Sequence, residues 1–114
     1  MLSNRQLFLL HLGQTSRSPL LVEVEKAEGV YLYGPAGEKY IDLISGVSVS
    51  NCGHHHPRVV EAVKNQADSY LHLMVYGEMI QSPQVKYAEK LAELLPKNLN
   101  VCYFVNSGSE AVEG

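Results

Sequence analysis

Two periodicities of hydrophobic residues divide the first half of the chain into a helix and a small sheet. Ser3 and Gln6 have the spacing of a capping box, and leucines recur behind them on one helical face, so a helix is predicted from Ser3 to a stop at Gly13. Alternation with a period of two then predicts an antiparallel meander of three short strands, at residues 22–25, 30–33 and 39–43. Small and polar residues dominate residues 44–53, which are expected to form a loop.

Prolines mark two longer helices in the second half of the chain. Pro57 suits the first turn of a helix, and apolar residues recur behind it at helical spacing. Ser82 and Pro83 repeat this start signal, with the Ser82 hydroxyl as the expected cap, and Pro96 ends the second helix.

A continuous apolar run occupies residues 101–105. A run of this length is typical of a strand covered on both faces, as in a parallel α/β sheet. Such a strand needs neighbours on either side, and the sequence offers no second run of that kind. We therefore expect the 114 residues to be the front part of a longer protein.

Composition excludes several classes of protein. Hydrophobic residues make up 46% of the chain and charged residues 18%, which is ordinary globular usage. The net charge of −3 leaves no dense basic face for nucleic acid, and no apolar run approaches the length of a membrane helix. Cys52 and Cys102 make no disulfide framework, so reduced thiols and a cytoplasmic location are expected. Residues 1–22 contain Arg5 and Arg17 and no acid, but a capped helix is favoured over an organelle presequence.

The Asn-Ser-Gly-Ser turn at residues 106–109 is a candidate anion site. It lies between the apolar run and a helix-compatible segment, where the first N–H groups of a helix have no internal partners and the helix dipole is positive. Gly108 allows a close approach, and the hydroxyls of Ser107 and Ser109 add donors, so a phosphate fits. A plain helix cap without a ligand, with Glu110 complementing the dipole, is the alternative interpretation. The motifs of a P-loop and of a nucleophile elbow are missing.

Histidines and tyrosines provide the other candidate groups. His54, His55 and His56 are consecutive, so they cannot all face one ion, and no metal site is expected; Gly53, His56 and Pro57 are instead expected to lead the loop into a helix. The aromatic residues around the Gly77–Met79 segment could line a pocket, although packing is the favoured role; they are Tyr70, His72 and Tyr76.

An ordered set of motifs is more specific than any single part. It consists of Gly-Val-Tyr-Leu-Tyr at 29–33, Tyr-Ile-Asp-Leu at 40–43, Gly-His-His-His-Pro at 53–57 and Asn-Ser-Gly-Ser-Glu-Ala at 106–111. This set resembles the N-terminal quarter of class III aminotransferases, the pyridoxal-phosphate (PLP) enzymes that include 4-aminobutyrate, acetylornithine and ornithine aminotransferases. The resemblance implies an α/β fold, the N-terminal part of a fold-type-I PLP-dependent transferase. Residues 1–53 would be the N-terminal segment of helix and meander, part of the small domain, and residues 54–114 the truncated start of the large PLP-binding domain.

The resemblance also implies the chemistry of the parent protein. Gly108 and Ser109 would bind the phosphate of PLP, with Ser107 beside them, and Val47 would touch the substrate. A homodimer would move an amino group from a 4-aminobutyrate- or acetylornithine-like donor to a 2-oxo acid, with Val112 closer to the 4-aminobutyrate branch. The Schiff-base lysine and the acid that pairs with the pyridine nitrogen would lie beyond Gly114, so no catalytic residue is assigned in this chain, which alone should not transaminate. None of its lysines matches the Schiff-base position; they are Lys26, Lys39, Lys64, Lys86, Lys90 and Lys97.

Two other functions stay open from the sequence. One is a non-catalytic phosphate-binding or dimerisation module that kept the anion turn and lost catalysis. The other is a different enzyme on the same fold, such as an aminomutase or a decarboxylase, since a fold does not fix a reaction.

Overall fold

A computed structural model describes residues 1–74 and 77–114 of the chain. It divides into two units, Met1–Leu71 and His72–Gly114. The first unit contains α1 (Asn4–His11), β1 (Lys26–Glu28), β2 (Tyr31–Tyr33), β3 (Lys39–Ile41), α2 (Ser45–Ser48) and α3 (Pro57–Ser69). The second contains α4 (Ser82–Leu94) and α5 (Gly108–Glu113). The domain boundary predicted between residues 53 and 54 stays a prediction.

Helix α1 begins with the predicted capping box. The Oγ of Ser3 accepts a hydrogen bond from the Gln6 N–H at 3.3 Å, and the Ser3 N–H donates to Oε1 of Gln6 at 2.9 Å. This exchange satisfies two backbone donors at the helix start. The guanidinium of Arg5 donates to the carbonyl of Leu21 at 2.8 Å and so ties the helix to the segment that precedes the sheet.

The predicted antiparallel meander is confirmed, with its first strand displaced. The strands pair in the order β1-β2-β3, and Leu32 lies opposite both Ala27 and Tyr40. Strand β1 covers Lys26–Glu28, so the strand predicted at residues 22–25 was wrong in position. The turn at Gly29, which has a φ of +57°, places the residues just before it opposite β2. The geometry of this tight turn therefore sets the register of β1 against β2. The alternating valines at 22 and 24 lie before the paired residues of β1.

Helices α3 and α4 occupy the predicted places, but the expected cap of α4 was wrong. Pro57 is the first residue of α3, as predicted. Ser82 is the first residue of α4, and the N-cap is Gln81, whose backbone is extended. Gln81 is only 8% exposed, and its side chain donates to the carbonyl of Met74 at 2.7 Å. A contact with a residue seven positions away therefore holds the start of this helix.

Residues 101–105 form no strand in the structure, so that prediction was wrong. Val101 is 87% exposed, and in the part of the chain that the structure describes the sheet contains only β1, β2 and β3. An apolar extended segment becomes a strand only when its N–H and C=O groups pair with a neighbour. The run is nonetheless anchored at Phe104, whose ring stacks on that of Tyr87 in α4 with a centroid distance of 5.6 Å.

Local interactions define these elements. Across residues 1–74 and 77–114 no hydrophobic side chain is buried, so caps, prolines, turns and the short ladder fix the backbone. Among the helices that the structure describes, none combines the length and the hydropathy that crossing a bilayer requires.

Candidate functional site

The turn at residues 106–109 leads into helix α5 through a second capping box. Ser107 is the N-cap, and its Oγ accepts a hydrogen bond from the Glu110 N–H at 3.2 Å. In return, one carboxylate oxygen of Glu110 accepts from the N–H of Ser107 at 3.1 Å and from the N–H of Asn106 at 2.7 Å. The carboxylate thus satisfies the backbone N–H groups of the two residues that precede the helix.

Two amides of the same turn remain available to an anion. Gly108 and Ser109 are the first two residues of α5, and N–H groups at these positions have no partner within the helix. A Cβ atom on Gly108 would meet nothing within 4 Å, so the space beside its backbone is open. The helix dipole adds positive potential at this end, while the carboxylate of Glu110 opposes it. The turn therefore fits a phosphate group at Gly108 and Ser109, next to the hydroxyl of Ser109.

The predicted loop around Val47 contains a left-handed helical turn. Four consecutive residues, Ser45–Ser48, have φ between +50° and +64°. The turn closes through hydrogen bonds from the Val49 N–H to the Ser45 carbonyl at 2.8 Å and from the Ser48 N–H to the Ile44 carbonyl at 3.1 Å. Left-handed backbone costs about 1–2 kcal/mol for each residue other than glycine, and a β-branched side chain is the least suited to it. Val47 lies in this strained turn and is 83% exposed.

A carboxylate and an imidazole lie at the base of this turn. Asp42 follows β3, and its Oδ1 accepts from the N–H of Ile44 at 3.0 Å and from the N–H of Ser45 at 2.9 Å. Its Oδ2 lies 2.7 Å from Nε2 of His54. The hydrogen bond from His54, together with those from the Ser45 and Ile44 amides, holds the pKa of Asp42 below its ordinary value. Asp42 is therefore ionised at neutral pH, and Nε2 of His54 carries the hydrogen that it donates.

The three histidines have three different environments. The backbone of His54 pairs with Gly29 in both directions, by hydrogen bonds of 2.7 and 3.0 Å. His55 is exposed with a φ of +54°, and His56 is the N-cap of α3, where its Nδ1 is buried without a hydrogen-bond partner. Gly53 has a φ of +79° and lies against Gly29, so its predicted role in the entry to α3 is confirmed. No group of three metal-binding side chains occurs in residues 1–74 and 77–114.

The predicted site residues fall into two places. Ser107, Gly108 and Ser109 share the turn before α5 in the second unit, and Val47 lies on α2 in the first. Sequence reasoning missed the pairing of Asp42 with His54, although both residues lie in motifs that it singled out. An aspartate three residues before Ser45 is a local signal for side chain-to-backbone capping, whereas the partnership with His54 spans twelve residues and has no local signal. Tyr76 lies outside the described residues, and Tyr70 lines a groove beside α3 with residues such as Val59 and Val63.

Comparison with known proteins places the chain in a family. The profile of the family Aminotransferase class-III matches residues 12–114. This chain belongs to the class III aminotransferases. Enzymes of this class use pyridoxal phosphate.

Individual aminotransferases share both sequence and architecture with the chain. The acetylornithine aminotransferase of Methanopyrus kandleri is 43% identical over 90% of this chain and 25% of its own length. The crystal structure of the adenosylmethionine-8-amino-7-oxononanoate aminotransferase of Methanocaldococcus jannaschii matches 96% of the chain and 26% of that protein, with a TM-score of 0.86 and 29% identity. The taurine:2-oxoglutarate aminotransferase of Bifidobacterium kashiwanohense, solved with PLP and glutamate, matches 76% of the chain and 20% of that protein, with a TM-score of 0.68 and 27% identity.

These matches confirm the predicted fold class. The small antiparallel sheet and the helices match part of PLP-dependent aminotransferases of known structure. The chain spans about a quarter of the length of the curated relatives that it matches.

Proposed function

We propose that this chain is the N-terminal portion of a PLP-dependent aminotransferase, which moves an amino group from an amine donor to a 2-oxo acid. The observation that carries the proposal is the family match over residues 12–114. Similar proteins are named acetylornithine or ornithine aminotransferases, and this favours an acetylornithine-like donor over 4-aminobutyrate. We also propose that the protein is a homodimer, as the sequence resemblance implies, and that it is cytoplasmic, as expected for a chain with two cysteines and no disulfide framework.

The turn before α5 is the proposed binding place for the phosphate of PLP. The amides of Gly108 and Ser109 would donate to the phosphate oxygens, and the hydroxyls of Ser107 and Ser109 would add to them. The support is the open space beside Gly108 and the two amides that the capping box leaves free. When bound, PLP supplies the electron sink that amino transfer requires.

Val47 is the proposed substrate contact. Val47 is exposed on a strained turn. Strained backbone persists only where the surrounding structure enforces it, and it is concentrated at functional sites. An aliphatic side chain there would pack on the carbon chain of the amino donor and contribute no charge or hydrogen bond to it.

The experiment that tests the proposal is a cofactor titration of the protein that carries this chain. In Gly108→Asp, a carboxylate would meet the phosphate, so we expect PLP affinity to fall by about tenfold or more, which is the effect of losing roughly 1.4 kcal/mol. Gly13→Asp is the matched control, because a Cβ atom at Gly13 also meets nothing within 4 Å and that residue lies before the sheet. PLP absorbance and amino transfer from acetylornithine to 2-oxoglutarate would be measured on the same samples.

The outcomes of this titration are distinct. Equal PLP affinity in both glycine variants and the wild type would contradict the phosphate site. PLP binding without amino transfer from acetylornithine or 4-aminobutyrate would indicate the non-catalytic module or a different PLP enzyme on the same fold instead.

A further inference from the structure

The pair of Asp42 and His54 closes the segment that contains the left-handed turn. Both residues are fixed to the meander through their backbones: the Asp42 N–H donates to the Val30 carbonyl at 2.9 Å, and His54 pairs with Gly29. Their side chains then meet at 2.7 Å, twelve residues apart in the sequence. The strained turn lies on the loop between these two anchors.

The carboxylate also reaches into the turn. Its other oxygen accepts from the N–H groups of Ile44, whose backbone is right-handed, and of Ser45, the first residue of the turn with positive φ. The side chain of Asp42 is 9% exposed and that of His54 is 21% exposed, so water competes little for this contact. One carboxylate therefore connects the start of the turn to the segment at its far end.

The conformation of the turn needs such a support. Three of its four residues, Ser45, Val47 and Ser48, are not glycine, so their own preferences favour right-handed or extended backbone. A backbone of this kind persists only where surrounding contacts over-determine it. Among the described residues, the side-chain hydrogen bonds to the backbone of residues 44–48 come from Asp42.

We propose that Asp42 and His54 are positioning residues, which hold the Ser45–Ser48 turn left-handed so that Val47 is presented to the amino donor. The inference rests on the proposed function for its substrate. His54 does not touch the donor; its hydrogen bond fixes the carboxylate, and the carboxylate fixes the turn. Loss of this bond lets the turn relax and removes the ordered surface that the donor meets.

The test uses the PLP-loaded protein that carries this chain and compares three substitutions. His54→Leu removes the donor to Asp42. His54→Gln keeps an amide N–H at a similar reach and is the conservative variant. His55→Asn is the matched control, because His55 is the exposed neighbour and asparagine tolerates its positive φ. Amide hydrogen exchange reports the turn itself, and steady-state kinetics report the use of the donor.

In His54→Leu we expect exchange at the amides of Ser48, Val49 and Ser50 to accelerate by about tenfold or more, with the amides of β2 and β3 unchanged. The KM for the amino donor should rise by roughly tenfold while kcat changes by less than about twofold, because uniform binding is lost and the chemical step is not. His54→Gln should restore both values, and His55→Asn should resemble the wild type. If His54→Leu does not fold, Asp42→Asn answers the same question, since it keeps an acceptor for the turn amides and weakens the bond to His54.

Three results would overturn the proposal. In the first, the turn amides of His54→Leu exchange as in the wild type. In the second, they exchange faster but the KM for the donor does not change. In the third, exchange accelerates evenly over residues 1–71 and the melting temperature falls, which would indicate a purely structural role for the pair. A wild-type protein that neither binds PLP nor transfers amino groups would instead overturn the proposed function and the substrate part of this inference. The exchange measurement would still decide whether the pair holds the turn.

Discussion

A Cβ atom at Gly53 would lie 3.1 Å from the carbonyl oxygen of Gly29, so the backbone before His54 rests directly on the first turn of the meander. This approach allows the two hydrogen bonds between Gly29 and His54 to form. The close approach therefore fixes the backbone position of His54, from which its side chain reaches Asp42.

Gly53→Ala should destabilise the protein more than Gly37→Ala. Both glycines have positive φ, at +79° and +85°, so both substitutions carry the cost of left-handed backbone, about 1–2 kcal/mol. Only at Gly53 would the new methyl group press on backbone, which adds about 1–3 kcal/mol of overpacking. Urea unfolding of the two variants measures the difference, and equal midpoints would contradict the close approach.

Stability should depend on the ionisation of Asp42. Its folded pKa is lowered by the hydrogen bond from His54 and by the turn amides, so the folded state favours the carboxylate. The stabilisation is present above the unfolded value of about 3.9 and is lost as the pH falls through the lower folded pKa. Unfolding free energies measured from pH 7 to pH 2 should therefore fall less steeply in Asp42→Asn than in the wild type. Parallel curves for the two proteins would show that this carboxylate contributes nothing to the pH dependence of stability.

Glu110→Gln should strengthen PLP binding by about two- to fivefold. A negative charge at a helix start offsets the dipole by about 0.3–1 kcal/mol, and the same charge repels a phosphate. Glutamine still completes a capping box, so the helix keeps its start. Glu113→Gln, at the other end of α5, is the control and should leave the affinity unchanged. A cofactor titration decides, and weaker binding in Glu110→Gln would mean that the carboxylate helps to order the turn for the ligand.

Ser3→Ala should fray helix α1. The hydroxyl satisfies the Gln6 N–H, and its loss costs about 0.5–2 kcal/mol of local stability. Ser3→Asp keeps an acceptor at the cap and should behave as the wild type. Hydrogen exchange at the Gln6 amide distinguishes them, and equal exchange in all three proteins would show that the capping box is not what holds the helix.

The sequence predicted correctly those features of the fold that form through interactions between residues close together in the chain. Ser3 with Gln6 and Pro57 each mark a feature that forms within a few residues of itself, and the structure places both as expected. The turn of Ser107, Gly108 and Ser109 is equally local, because a cap and the free amides of a helix follow from one short motif.

The features that sequence reasoning missed depend on distant partners. The N-cap of α4 is Gln81 and not Ser82, and the side chain of Gln81 donates to the carbonyl of Met74, seven residues away. The bond between Asp42 and His54 joins two segments that only the folded meander brings together. The left-handed turn opposes the backbone preferences of its own residues, so their residue types predict a different conformation.

The absence of a buried hydrophobic side chain in residues 1–74 and 77–114 has a consequence for a deep mutational scan. Tolerance in such a map would follow backbone chemistry, with sharp intolerance at glycines of positive φ and at capping hydroxyls. The apolar stripes of α3 and α4 would show a graded response set by whatever surface covers them. A scan would therefore separate the positions that shape this segment from those that attach it to its surroundings.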